Sequence, residues 1–140
     1  MMTIQERILG FKAPEYQFLS NFARVWVDLD EWSYFSVEHA YQAAKTLDKK
    51  QRKIIFNTVS PGEAKRLGSA LVLRQDWHAV KLKVMEDLLR QKVNTEPFKY
   101  KLKLTGEAYI EETNWWGDTY WGVCKGVGDN HLGRLIMKIR

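Results

Sequence analysis

The first apolar pattern in the chain alternates, as it does in a β-strand. Val25 and Val27 occupy alternate positions of "RVWVDL", and "EWSYF" supplies aromatic residues that favour strands after an Asp-rich turn. The preceding segment, "FKAPEYQFLSNF", has no such period and predicts an irregular lead. The pattern therefore predicts two short strands joined by a turn.

Helical periodicity dominates the next sixty residues. Ser36 is a plausible N-cap for one helix, and Ser60 followed by Pro61 begins another that ends near Gly68. A long helix follows, in which apolar residues recur every three or four positions. These positions are Trp77, Val80, Val84, Met85, Leu88 and Leu89. The predicted helices cover residues 37–47, 49–58, 61–68 and 76–93.

The final third of the chain mixes the two patterns. Lysines alternate with apolar residues in "TEPFKYKLKLTG", as in a strand, but Thr95 can cap a helix, Pro97 suits a first turn and Gly106 suits a terminus. We predict a helix there and a short strand at "EAYIEE". We expect Asp129 to cap a last helix. Its predicted core-facing residues are Leu132, Leu135, Ile136 and Ile139.

These elements predict one continuous α+β domain over residues 1–140, mostly helical and with a small antiparallel sheet. The 140 residues suffice to bury about two-thirds of the unfolded surface, and they contain no linker, repeat or low-complexity segment. No apolar run approaches the roughly 20 residues that span a bilayer, so no membrane association is expected.

Composition adds an expected location and a weak hint about partners. The charged stretch "MMTIQERILG" does not resemble an export signal, and Cys124 is the only cysteine, which suits a reducing cytosol. We therefore expect a cytoplasmic protein. The formal net charge of +5 weakly favours an anionic partner, either a phosphorylated small molecule or nucleic acid. A modest basic excess is more often only a solubility feature. The oligomeric state has no signal in the sequence.

Two patterns carry candidate chemistry. On the helix after Ser36, a 3.6-residue period places Glu38, Gln42 and Lys45 on one stripe, with about 10 Å along the axis between the acid and the lysine. A ligand could lie between them, although an acid in a first turn and a lysine near a last turn also suit the helix dipole. In "NWWGDTYWG", Asp118 is surrounded by flat aromatic residues. These could stack on a ligand, or fill a core around a turn residue.

Other signals are weaker. The three histidines, His39, His78 and His131, are scattered, so no metal site is indicated, and no phosphate-binding glycine motif or cofactor is implied. Lys65 and Arg66 could hold a phosphate, or could belong to a solvated helix face.

The order of several separated motifs resembles the YbiA-like, or NADAR, family. These motifs are "FLSNF", "YFSVEHAYQAAK", "AKRLG", a tryptophan opening the long helix, "LTG", "EET…WWGDTYWG" and "GDNHLGRLIMKIR". The resemblance implies a small α+β domain that cleaves N-glycosidic bonds at a ribose C1′. One branch of the family resembles N-glycosidases acting on phosphorylated ribosylamine intermediates of riboflavin synthesis. Another resembles hydrolases that remove ADP-ribose from guanine in nucleic acid.

The resemblance also implies site residues. A Ser-x-Glu-x-x-x-Gln-x-x-Lys motif matches Ser36, Glu38, Gln42 and Lys45, and an Asp-x-x-Trp-Gly motif matches Asp118, Trp121 and Gly122. Trp77 and Asn21 match further family positions near the ligand.

The chemistry fits these residue types. A carboxylate can stabilise the positive charge that builds on the sugar, and flat rings such as Trp77 and Trp121 can stack on a base. We expect Glu38 and Asp118 to share the acid/base and charge-stabilising roles and to approach one sugar carbon. Lys45 could form an imine with an opened ribose or could hold phosphate.

Three functions follow as hypotheses. The first is an N-glycosidase acting on a small phosphorylated ribosylamine. The second is a hydrolase acting on ADP-ribosylated guanine in DNA or RNA. The third is a non-catalytic module that binds ADP-ribose or a related nucleotide.

Overall fold

The computed structural model describes residues 7–140, which contain six α-helices, a 3-10 helix at Pro14–Leu19 and six short strands. The helices are α1 Val37–Ala44, α2 Lys49–Phe56, α3 Pro61–Gly68, α4 Trp77–Val93, α5 Phe98–Leu104 and α6 His131–Ile139. The strands are β1 Arg7–Leu9, β2 Arg24–Leu29, β3 Trp32–Ser36, β4 Tyr109–Glu111, β5 Thr113–Asn114 and β6 Val123–Cys124. Residues 1–6, which carry part of the charged N-terminal stretch, lie outside the described residues.

The described chain packs as two compact units. One consists of residues 21–95, and the other of residues 7–20 together with residues 96–140. None of the helices within residues 7–140 combines the length and the apolar composition that crossing a bilayer requires.

The predicted α+β class is confirmed, as is the predicted hairpin. β2 and β3 pair antiparallel with Val27 opposite Tyr34, and Val25, Val27 and Tyr34 are all buried. Two further strand pairs, β1 with β4 and β5 with β6, are parallel and were not predicted. The β1–β4 pair joins segments about a hundred residues apart, and β5 and β6 have only two residues each, so no local pattern reveals either pair.

Helix α1 is the centre of the 21–95 unit. All eight of its residues are buried, and it packs against α2, α3, α4 and the β2–β3 hairpin. Ser36 caps it as predicted, because its Oγ accepts a hydrogen bond from the His39 backbone N–H at 3.0 Å. The small side chains of Ala40, Ala43 and Ala44 allow neighbouring helices to approach closely.

The imidazole of His39 is satisfied inside this core. Its Nδ1 lies 2.7 Å from Ser36 Oγ. Burial lowers the pKa of His39, and a hydrogen bond with the Thr58 backbone opposes that shift. His39 therefore serves the core and shows no feature of a ligand-binding residue.

The Arg52 guanidinium holds the C-terminal end of α1. Its Nε donates to the carbonyls of Ala43 and Thr46 at 3.2 and 2.8 Å, and a terminal nitrogen meets the Asp30 carboxylate at 2.5 Å. Arg52 is only 9% exposed, so these bonds are shielded from water. They tie α2 to the last carbonyls of α1 and to the hairpin turn, and so fix the segment that carries Lys45.

The predicted cap of the last helix is wrong. Asn130, not Asp129, precedes α6, and it makes no side-chain capping bond. Its backbone is left-handed, with φ of 54°, which asparagine tolerates well. The Asn130 side chain instead accepts from the Glu112 N–H and donates to the Ile110 carbonyl. Tertiary bonds to the β4 segment have therefore replaced the local cap.

Two smaller expectations also need correction. Thr95 does not cap α5; its hydroxyl donates to the Gln91 carbonyl, and Pro97 directly precedes the helix. Of the apolar positions predicted for α6, Leu132, Leu135 and Ile136 are buried, but Ile139 is only half-buried. On α4, Val80 and Val84 are likewise half-buried, while Trp77, Met85, Leu88 and Leu89 form the buried stripe.

Replacing Arg52 with methionine should destabilise the protein strongly. The Arg52→Met variant keeps the apolar stem but leaves the buried Thr46 carbonyl without its donor and removes one of the N–H groups that donate to the Ala43 carbonyl. It also breaks the ion pair with Asp30, and together these losses should cost about 2–3 kcal/mol in unfolding free energy. Urea unfolding measures the loss. Lys50→Met on the exposed side of α2 is the matched control, with an expected change below about 0.5 kcal/mol. Equal stability of the two variants would contradict the stabilising role of the Arg52 hydrogen bonds.

Candidate functional site

The carboxylate of Glu38 is buried within α1. The Glu38 residue is 8% exposed, and Gln42, one turn later, is 4% exposed. The Gln42 Nε2 donates to Glu38 Oε2 at 2.6 Å. A buried carboxylate is unfavourable unless hydrogen-bonded or paired with a cation, so this bond both fixes the side chain and stabilises its charge.

Lys45, at the end of α1, supplies a cation with altered basicity. Burial lowers the pKa of its amine, and the neighbouring cations of Lys65 and Lys81 lower it further, while the Glu38 carboxylate opposes the shift. The Nζ atom also lies 5.7 Å from the centre of the Tyr41 ring. Lys45 thus loses its proton more readily than an ordinary lysine while remaining electrostatically coupled to Glu38.

Two further predicted residues frame this cluster. The Asn21 carbonyl accepts from the Glu38 backbone N–H at 3.0 Å, and the Asn21 Nδ2 lies 3.6 Å from the sulfur of Met85. Asn21 therefore anchors the first turn of α1. The Trp77 ring packs 5.2 Å from the Tyr41 ring at 56° and is only 3% exposed. This places Trp77 in a wall beside α1, and its stacking on a ligand stays a prediction.

The two basic residues of α3 differ in what they contact. Lys65 is exposed and is coupled electrostatically to Lys45. Arg66 is exposed as well, and its backbone carbonyl accepts from the Ser69 hydroxyl at 2.7 Å. Phosphate binding by this pair stays a prediction, with Lys65 the better placed.

Asp118 belongs to the other unit and organises its own loop. Its Oδ1 accepts from the backbone N–H groups of Tyr120 and Trp121, at 3.1 and 2.9 Å. The Asn114 amide brackets the same residue, since it accepts from the Asp118 N–H and donates to the Asp118 carbonyl. Within residues 7–140 the second carboxylate oxygen, Oδ2, accepts no hydrogen bond, so one oxygen holds the loop and the other is available for chemistry.

The aromatic residues around Asp118 fall into two groups. Trp121 is half-buried and meets Tyr120 edge-on at 4.8 Å. Trp115 and Trp116 are 73% and 48% exposed and contact each other edge-to-face at 5.7 Å. The cluster is therefore only partly core, and its exposed half is the part suited to stacking on a ligand.

The arrangement brings together Glu38, Gln42, Lys45 and Asn21 in one unit, and Asp118 and Trp121 in the other. The expected approach of Glu38 and Asp118 to one sugar carbon stays a prediction.

A family model for the NADAR domain matches residues 10–140. The chain belongs to the NADAR family. The resemblance drawn from the separated motifs is confirmed.

Relatives of known name and a solved structure support this family membership. N-glycosidase YbiA of Escherichia coli (strain K12) is 35% identical over 144 residues, covering 98% of this chain and 89% of that protein. Riboflavin biosynthesis protein VVA0006 of Vibrio vulnificus (strain YJ016) is 29% identical over 143 residues, covering 98% of this chain but 39% of that protein. An NMR structure of E. coli YbiA superposes with a TM-score of 0.84 at 35% identity, covering 99% of this chain and 85% of that one. The predicted enzyme class, N-glycosidase, and the YbiA-like fold are thereby confirmed.

Sequence reasoning missed two buried polar residues in this NADAR domain, Glu112 and Asn114. Both are under 10% exposed, and the Asn114 Nδ2 lies 3.4 Å from the Glu112 carboxylate. The signal was present: with Ile110 they occupy every second position after the "EAYIEE" strand begins, which is the inward-facing set. A methyl group on Gly122 would lie 2.4 Å from the Glu112 carboxylate, so the glycine of the Asp-x-x-Trp-Gly motif makes room for it.

A groove of about 750 Å³ lies beyond the end of α1. It is lined by Thr46, Leu47, Asp48, Gln51, Ala70, Leu71, Val72, Leu73, Arg74, Gln75 and Asp76. Its charged side chains are already engaged, since Arg74 pairs with Asp76 and Asp48 caps α2. The cluster around Glu38, which carries the acid, the amide and the lysine, is therefore the better candidate site than this groove.

Two substitutions at Asp118 separate its structural role from the chemical one. Asp118→Ala removes both loop bonds and should cost about 1–3 kcal/mol of unfolding free energy. Asp118→Asn keeps an acceptor oxygen and should stay close to wild-type stability. We expect Asp118→Asn to lose at least about tenfold in turnover if the charge is used. Thermal unfolding measures the effect on stability, and a glycosidase assay measures the effect on turnover. Wild-type turnover by Asp118→Asn would show that Asp118 has only a structural role in its loop.

Proposed function

We propose that this protein hydrolyses the bond between a ribose C1′ and the nitrogen of an amine or base, on a phosphorylated ribosylamine intermediate of riboflavin biosynthesis. The observation that carries the proposal is the buried, hydrogen-bonded Glu38 carboxylate coupled to Lys45. Support for the substrate comes from the riboflavin biosynthesis protein of Vibrio vulnificus, whose matched part covers almost this whole chain.

The reaction replaces a C–N bond with a C–O bond. As the bond to nitrogen breaks, C1′ acquires positive charge, and an adjacent carboxylate stabilises it. Water then adds to C1′ and gives up a proton, while the departing nitrogen gains one. In this proposal Glu38 supplies the negative charge. Gln42 keeps that carboxylate oriented, because its N–H is directed at Oε2.

A phosphorylated substrate suits the cations near this carboxylate. The positive charges of Lys65 and Lys81 both act on the amine of Lys45. Such a group of cations is relieved of mutual repulsion when a phosphate binds. The formal net charge of +5 favours the same class of ligand.

The same cations leave a second candidate, removal of ADP-ribose from guanine in DNA or RNA. Salt distinguishes the two substrates, because a nucleic acid that contacts several phosphate-binding side chains loses affinity steeply as salt rises. A small phosphorylated substrate should show a much shallower slope. Turnover assays should therefore offer both substrates across a salt series, with the released base identified by mass.

Glu38→Gln should abolish most turnover while leaving binding intact. The amide keeps the size of the side chain but carries no charge for the transition state, so kcat should fall by about 10²–10³-fold, with KM within a few-fold of wild type. Glu15→Gln, at an exposed position of the 3-10 helix, makes the same chemical change and should match wild type. Full turnover by Glu38→Gln would contradict the assignment of Glu38.

Lys45 provides a test of the imine alternative. Its neutral amine can condense with the aldehyde of an opened ribose, releasing water, and borohydride then reduces the imine to a stable secondary amine. Because the pKa of Lys45 is lowered, the trapped yield should rise at a lower pH than it does for an ordinary lysine. In Glu38→Gln the opposing carboxylate charge is gone, so the midpoint should move to lower pH still.

Ribose 5-phosphate and ADP-ribose are the two probes for trapping, and peptide mass mapping locates the adduct. Lys45→Arg is the control, since its guanidinium does not form the adduct. An adduct spread over the surface lysines, with none at Lys45, would rule out the imine and leave Lys45 as a phosphate ligand.

A further inference from the structure

Gly68, the last residue of α3, lies against the side chain that holds Glu38. A Cβ built on Gly68 would lie 2.0 Å from Gln42 Oε1, 2.7 Å from its Cδ and 2.9 Å from its Cβ. Atoms at these separations overlap. The Cβ of Gln42 is fixed to the α1 backbone, so rotation of the glutamine side chain does not relieve every contact.

The need for glycine here is steric. Gly68 lies within α3 and has no left-handed φ, so any residue could adopt its backbone conformation. Glycine also weakens a helix relative to alanine. What excludes a side chain is the close approach of α3 to α1, which are directly packed against each other.

The Gln42 amide has an unusual environment that depends on this contact. Its Nε2 is bonded to Glu38, while its Oε1 is buried and accepts no hydrogen bond from any described residue. The opposite amide orientation would direct the carbonyl oxygen at the Glu38 carboxylate, which is repulsive. Gly68 lets the unbonded oxygen occupy the space at α3 and offers no side-chain donor that would compete for the amide.

We propose that Gly68 is a positioning residue for the reaction: its missing side chain makes the space in which Gln42 holds the Glu38 carboxylate in place. This inference rests on the proposed role of Glu38. It predicts that a single methyl group at position 68 acts on turnover through Gln42, without touching the substrate.

The test is a cycle of four proteins: wild type, Gly68→Ala, Gln42→Ala and the double variant. Gly62→Ala is the matched control, because it makes the same change on the same helix and a Cβ there meets nothing nearer than the Ser60 hydroxyl at 4.0 Å. For each protein, kcat and KM are measured with the phosphorylated ribosylamine substrate. Thermal unfolding midpoints are measured without substrate.

We expect Gly68→Ala and Gln42→Ala each to lower kcat at least tenfold, and Gly62→Ala to leave it unchanged. The double variant should match Gln42→Ala within about twofold, because the methyl group has no further effect once the amide is gone. If Gly68 had a merely structural role, the kcat loss of the double variant would be the product of the losses of the two single variants. That result, or a Gly68→Ala enzyme with wild-type kcat, would overturn the proposal.

Unfolding separates this proposal from the proposed function. Gly68→Ala should lower the unfolding midpoint by roughly 5 °C or more relative to Gly62→Ala, and by less than half as much in the Gln42→Ala background. If Gly68→Ala does not fold, the double variant should, because the largest overlaps are removed; failure of both would overturn the proposal. If wild type turns over no substrate, the proposed function fails, while the unfolding cycle still tests the contact.

Discussion

The 21–95 unit depends on one constraint: a helix buried along its whole length must satisfy the polar side chains it carries. Helix α1 holds a carboxylate, an amide and an imidazole in a core where unpaired polar groups are costly. Most of these polar side chains find hydrogen-bond partners on the same helix or at its N-terminus. Gln42 bonds to Glu38, and Ser36 bonds to His39. Arg52 donates hydrogen bonds to the Ala43 and Thr46 carbonyls at the C-terminal end of α1.

The same burial gives α1 its chemical character. It shields the charge on Glu38 from water, which strengthens that charge's effect on any neighbouring cation, and it lowers the pKa of Lys45. An arrangement built for stability alone would place apolar residues at these positions. The unbonded Gln42 oxygen also indicates a functional site, because proteins tolerate a buried acceptor without a donor mainly at such sites.

In the loop containing Asp118, the carboxylate stabilises a turn of the backbone. Its acid folds the loop back on itself through two backbone N–H groups, and Asn114 braces it from the preceding strand. The turn interpretation of Asp118 is therefore correct as far as Oδ1 is concerned. The hydrogen bonds at Oδ1 leave Oδ2 unused, so a structural role and a chemical role of Asp118 are compatible.

The sequence by itself determined the elements whose signals are local. Periodicity and caps predicted the hairpin, and they placed the starts of α1 to α4 within one residue and their ends within three. The ordered motifs identified the family, and helical spacing gave the stripe of Glu38, Gln42 and Lys45. Only tertiary structure decided the parallel strand pairs, the replacement of the Asp129 cap by Asn130, the burial of Glu112 and the contact of Gly68 with Gln42. Each of these depends on contacts between separate segments of the chain, and the pattern within one segment carries no information about such contacts.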